Sequence, residues 1–167
     1  MEQLIEKMDR LLASTFALYL KAHQFHWNVE GQDFHQYHDF FGDLYGEIFA
    51  SVDTTAEQIR ALDSKVKGTM SAFRELSVIR DQVTDLDIQG MNAMLYRDVE
   101  SLIAVLNDVH EEASKQKQFG LINFIEGRID VYKKHCWMLR ASMTQSAATN
   151  EEVAQPEVTT YEIQFNK

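Results

Sequence analysis

The sequence predicts an all-α protein, a bundle of four long amphipathic helices with one long crossover between the second and the third. Three observations predict it. The only proline among 167 residues, Pro156, lies near the C-terminus, so little breaks a helix before the tail. Apolar residues recur at helical spacing in four separate stretches. The links between these stretches run short, long, short, which makes two helical hairpins and disfavours a coiled-coil rod.

In residues 2 to 28, Leu4, Met8, Leu11, Leu18, Ala22 and Phe25 form the stripe of a core-facing helix, and Gly31 ends the segment. Asp33 and Gln36 have capping-box spacing. They open a second stripe through Tyr37, Phe41, Leu44, Ile48, Val52, Ile59 and Leu62, ending near Asp63. Residues 64 to 89 are polar and broken, and "TMSAFRELSVI" within them predicts a short helix inside the crossover. After Gly90 a third helix carries Met91, Leu95, Leu102, Leu106 and Val109 to about Gln118. Gly120 separates it from a fourth with Leu121, Ile125, Ile129, Tyr132, Cys136 and Leu139 on one side. Residues 1–145 therefore form the expected bundle. Residues 146–167 form an acidic tail whose "TYEIQF" alternates in an extended pattern, and it is expected to dock on its own or a neighbouring subunit.

Composition narrows the function. With 26 acidic against 16 basic side chains the formal net charge is −10, which repels phosphate backbones and draws cations. No apolar run approaches the roughly 20 residues that span a bilayer, so no membrane partner is expected. The start "MEQLIEKMDR" lacks signal-peptide character and Cys136 has no cysteine partner, so a cytoplasmic location is expected. No phosphate loop or nucleophile elbow is present.

Metal-ligating residue types do converge. The stretch "HQFHWNVEGQDFHQYHDFFGDLY" carries four histidines, His23, His26, His35 and His38, around one glycine-marked turn. His26 lies in the series Ile5, Leu12, Tyr19, His26, on the flank of the buried stripe. His38 opens the second helix, and Asp53 and Glu57, four apart, share a face farther along it. Imidazole and carboxylate together suit iron, and also zinc or manganese. The fifteen steps from His38 to Asp53 separate them by about 22 Å along a helix, too far for one metal. Two second helices paired antiparallel about a two-fold axis would close that gap, giving two equivalent sites per dimer. A metal centre inside one bundle needs Glu-x-x-His pairs on two helices, and the sequence has none. His23, His35, His110, His135 and Asp43 are assigned structural or surface roles. Trp27 beside His26 is read mainly as packing, with electron donation to an oxidising iron as a second role.

"HWNVEGQDFHQYHDFFGDLY" followed by "DTTAEQIRALD", with "RIDVYKKHCWMLR" later, resembles the Dps family of mini-ferritins, DNA-binding proteins from starved cells, over residues 1 to 145. The resemblance implies a ferritin-like four-helix fold assembled into a hollow homo-dodecamer. It also implies oxidation of Fe(II), preferably by hydrogen peroxide, and storage of ferric iron inside. By position, His26 and His38 are then ligands from one subunit and Asp53 and Glu57 from its partner, with no catalytic residue beyond these ligands. Two departures stand out. Where the family usually has an Asp one turn after the second histidine, this chain has Gly42, which weakens the expected iron binding; Asp39, Asp43 and Glu47 are conceivable substitutes. Many members bind DNA through lysine-rich terminal extensions, whereas here the first helix begins almost at Met1 and the C-terminal extension is acidic, so DNA binding is not expected on charge grounds. The alternatives are a Dps-like shell with a degenerate iron site, acting as a structural or nucleoid-associated protein, and, third, a zinc-holding structural dimer.

Overall fold

A computed structural model describes residues 1–81 and 85–143. It contains α1 (Glu2–Asn28), α2 (Phe34–Ala61), α3 (Met70–Leu76), α4 (Ile88–Lys115) and α5 (Phe119–Met143). The expected tail, residues 146–167, lies outside the described residues.

The predicted stripes are the core. Leu4, Met8, Leu18, Phe25, Phe41, Leu44, Ile48, Ile59, Leu95, Leu102, Ile125 and Leu139 are all buried. Val52 and Leu62, expected on the stripe of α2, and Ile129 and Cys136, expected on that of α5, are only half-buried and pack against the core from its edge. α1 and α2 form one antiparallel hairpin and α4 and α5 the other. α1 also runs antiparallel to α4, with the buried Lys21 Nζ 2.5 Å from Asp98 Oδ2 and Lys7 Nζ donating to the Asp108 carbonyl. α2 and α4 therefore run in the same direction. That forces the connection between them to travel back along the bundle, and α3 forms on this return path. The path is tied to α1 at three points. Phe73 packs on Phe16, with ring centroids 4.9 Å apart. The Val78 amide donates to Ser14 Oγ. Lys67 reaches the buried Asp9 carboxylate at 2.9 Å.

Helix ends differ from the sequence expectation in instructive ways. Asp33 makes no side-chain cap: its backbone (φ −97°, ψ 22°) is not extended as at a capping residue, so no capping box with Gln36 forms. Gly90 does not precede the third long helix but lies inside α4, because Asp87 Oδ1 accepts the Gly90 amide and starts the helix earlier. Gly120 is likewise inside α5. The break before α5 falls at Lys117, which takes the left-handed conformation (φ 55°). Around it Gln118 N donates to Ala113 O and Lys117 N to Ser114 O, a Schellman cap without glycine. Asp63 (φ 62°) closes α2 with the same pair of bonds. Only Gly31 (φ 116°) acts as the predicted glycine turn. Among the described residues no helix is long and apolar enough to cross a membrane.

Candidate metal centre

The α1–α2 hairpin brings His26 and His38 together. Their rings stack with centroids 3.7 Å apart and planes inclined by 27°. Each holds the other's backbone: His26 Nδ1 lies 2.7 Å from the His38 carbonyl oxygen, and His38 Nδ1 lies 2.9 Å from the His26 carbonyl oxygen. A carbonyl only accepts, so both Nδ1 atoms carry the proton, and in the neutral rings both Nε2 atoms keep a free lone pair. An Nδ1–H bond to a backbone carbonyl is the usual way of fixing a histidine in its ligating tautomer. The turn therefore builds two imidazole donors side by side, half-buried.

Aromatic rings surround the pair. His23 stacks on Tyr45 at 3.9 Å and against Trp27 at 4.0 Å, and its Nδ1 is 3.3 Å from the Tyr19 hydroxyl. Burial, with His26 beside it, lowers the His23 pKa. His23 is thus built into the wall of the centre, a packing role consistent with the structural assignment. Trp27 is 59% exposed and Phe49 53%, so packing among the described residues does not bury Trp27. Tyr19 links Phe49 to this wall, with centroids 4.8 Å apart.

Asp53 and Glu57 lie farther along α2, both exposed, and a single chain does not bring them to the histidines. Among the described residues no three or more His, Cys, Asp or Glu side chains gather in a metal-holding group. Position 42 faces His26 directly: a Cβ on Gly42 would lie 3.3 Å from His26 Nδ1. Of the conceivable substitute carboxylates, Asp39 and Asp43 are exposed, and Glu47 is engaged elsewhere.

That engagement is a polar cluster between α2 and α5 that the sequence did not announce. Glu47 accepts two bonds from Arg128, Nη1 to Oε1 at 2.6 Å and Nη2 to Oε2 at 3.2 Å, and a third from His135 Nε2 at 3.0 Å. Burial alone would raise the Glu47 pKa, but these bonds outweigh it and bring the carboxyl down to about 2. Arg128 also lies over the Tyr132 ring, 4.7 Å from its centroid, and burial raises that phenol's pKa. His135, assigned a structural or surface role, is a half-buried hydrogen-bond partner of Glu47. The partners are 81 and 88 residues from Glu47, beyond any local spacing rule; the one signal was Arg128, Tyr132 and His135 recurring on one side of an apolar helix.

The family model for the ferritin-like domain matches residues 5–147. DNA protection during starvation protein 2 of Bacillus anthracis is 31% identical over 144 residues, covering 86% of this chain and 99% of the relative. The DNA protection during starvation protein of Brevibacillus brevis is 31% identical over 137 residues, covering 80% and 90%. The crystal structure of Dps from Staphylococcus aureus superposes with a TM-score of 0.83 at 25% identity, covering 86% of this chain and 97% of that one.

Proposed function

The chain belongs to the Dps family of ferritin-like proteins, and on that premise we propose that it oxidises Fe(II) and stores the ferric product within a closed homo-oligomer, a dodecamer by family analogy. The observation that carries this proposal is the reciprocal bonding of His26 and His38, which leaves two Nε2 lone pairs free at one place. Iron is the substrate. Two borderline imidazoles hold it only with harder oxygen donors completing the set, and zinc or manganese would compete for the same donors.

Asp53 and Glu57 of a second copy supply those oxygens in this proposal. His38, Gly42, Tyr45, Phe49, Asp53 and Glu57 follow one another along α2 at spacings of three and four, so they share a slowly drifting face. Phe49 exposes an apolar surface in its middle. Two copies of that face paired antiparallel bring each histidine pair opposite the other chain's carboxylates, about 22 Å along the helix. Residues 1–145 act as one bundle unit in this assembly, with residues 146–167 as a tail. Two Fe(II) ions give up two electrons, and one hydrogen peroxide takes them with two protons to become two waters. Removing both reagents at once prevents hydroxyl-radical formation, which is how the protein would protect a cell. The net charge of −10 favours cation approach and disfavours DNA as a partner.

Gly42 favours a second reading, a shell of the same architecture with a degenerate site and a structural or nucleoid-associated role. One experiment separates the two. Purified protein is mixed with Fe(II) and peroxide and ferric absorbance is followed. Oxidation well above buffer, reduced at least ten-fold by His38→Ala and by Asp53→Ala, supports the ferroxidase. A rate equal to buffer, unchanged by either substitution, leaves the shell.

A further inference from the structure

The cluster between α2 and α5 contains a second pair of metal-competent donors. Glu47 and His135 touch at 3.0 Å, with the fully buried Tyr132 adjacent. A carboxylate and an imidazole facing each other across two helices of a bundle is the donor type from which intrabundle metal centres are built. We propose that Arg128 is a built-in cation that occupies this pair and keeps divalent metal out of the bundle interior. Its placement rests on the ferroxidase reading in one respect only, that metal so excluded is left to the His26–His38 centre.

Three features carry the inference. The guanidinium takes both Glu47 oxygens in a two-point fork, leaving no carboxylate oxygen without a cationic neighbour. Arginine cannot deprotonate to make way for an incoming cation. Displacing it would strand a permanent charge whose side chain is only 14% exposed. The third feature is the histidine itself. Its Nε2 donates to Glu47, so the nitrogen nearest the carboxylate carries a proton and has no lone pair for metal. This is the reverse of His26 and His38, whose protons sit on Nδ1. The low Glu47 pKa agrees with a carboxylate whose charge is already fully matched.

An ordinary structural ion pair would share this geometry, and metal binding separates the two. The test uses the full chain carrying His26→Ala and His38→Ala, so that the hairpin centre is gone, and titrates it with Co2+ by visible absorption and equilibrium dialysis. Adding Arg128→Ala should create one cobalt site per chain with at least ten-fold higher affinity than the parent, and further addition of Glu47→Gln should abolish it. Arg128→Gln, which keeps a hydrogen bond to Glu47, serves as a second variant should the alanine protein not assemble. Folded Arg128 variants that bind no more cobalt than the parent overturn the proposal. So does cobalt binding by the parent, with Arg128 intact, that is lost on Glu47→Gln; this arm holds even if neither Arg128 variant folds. Because no iron is oxidised in these measurements, their failure leaves the ferroxidase reading untouched, and failure of that reading leaves them valid.

Discussion

Replacing Glu47 by Gln should destabilise the protein in a pH-dependent way whose size follows from the structure. The folded carboxyl titrates at about 2 against an ordinary 4.5, because its bonds from His135 and Arg128 outweigh burial. A depressed acid pKa stabilises the fold fully above 4.5, and the contribution is lost as pH falls from 4.5 towards 2. At about 1.4 kcal/mol per pH unit the full difference is about 3 kcal/mol. Glu47 remains 33% exposed, so solvent screening lowers this to about 2 kcal/mol. At pH 3 the unfolded chain is mostly protonated while the folded carboxylate is not, which removes about half of that contribution. Urea unfolding of wild type and Glu47→Gln at pH 7 and pH 3 reads the effect. The penalty for the substitution should be about 2 kcal/mol at pH 7 and about 1 kcal/mol at pH 3, with unchanged denaturant slope. A penalty that is equal at both pH values, or larger at pH 3, would refute the claim that a charge-matched Glu47 supports the fold.

Three other substitutions probe separate parts of the molecule. Gly42→Ala gains up to about 1 kcal/mol of helix propensity, but its Cβ meets His26 Nδ1 at 3.3 Å. It should therefore raise the urea midpoint little while slowing Fe(II) oxidation, and undiminished oxidation would mean that the His26 ring has room to move. Lys21→Met leaves the Asp98 carboxylate without its partner and should cost about 3 kcal/mol in urea unfolding, most of it recovered in Lys21→Met/Asp98→Leu. Phe49→Glu puts charge on the exposed apolar face of α2. Sedimentation should then show smaller species with helix content retained by circular dichroism, and an assembly of unchanged size would argue against that face as the pairing surface.

The bundle was legible because burial repeats along each helix: Leu4, Met8, Phe41, Ile48, Leu95 and Ile125 occupy the positions their spacing predicted. Helix starts were less so: Asp33 makes no cap, and Gly90 and Gly120 lie inside α4 and α5. The ends of α2 and α4 fall close to the expected Asp63 and Gln118, but the left-handed conformation that makes them, at Asp63 and Lys117, is one usually left to glycine. His26 and His38 were legible as residue types around a turn. Their tautomers were not, because these depend on backbone carbonyls that only the folded hairpin brings within reach. Glu47 was legible only as a conceivable substitute ligand and His135 only as a structural or surface residue; their joining through Arg128 was not legible, since helices far apart in sequence bring the three together.

What decides which imidazole can ligate is therefore the hydrogen bond on its other nitrogen. His26 and His38 spend their Nδ1 protons on each other's carbonyls, so the turn that joins α1 to α2 also sets the donor atoms, and any change that opens the turn removes both at once. His135 spends its Nε2 proton on Glu47, and Arg128 neutralises the same carboxylate. The bundle thus contains two histidine settings of opposite polarity. One presents lone pairs at a surface where Phe49, Asp53 and Glu57 lie exposed. The other closes its donors on an internal cation. On the proposed ferroxidase reading, metal that partitions between them by chemistry alone would go to the first, where a second copy of α2 would complete the coordination that one chain lacks.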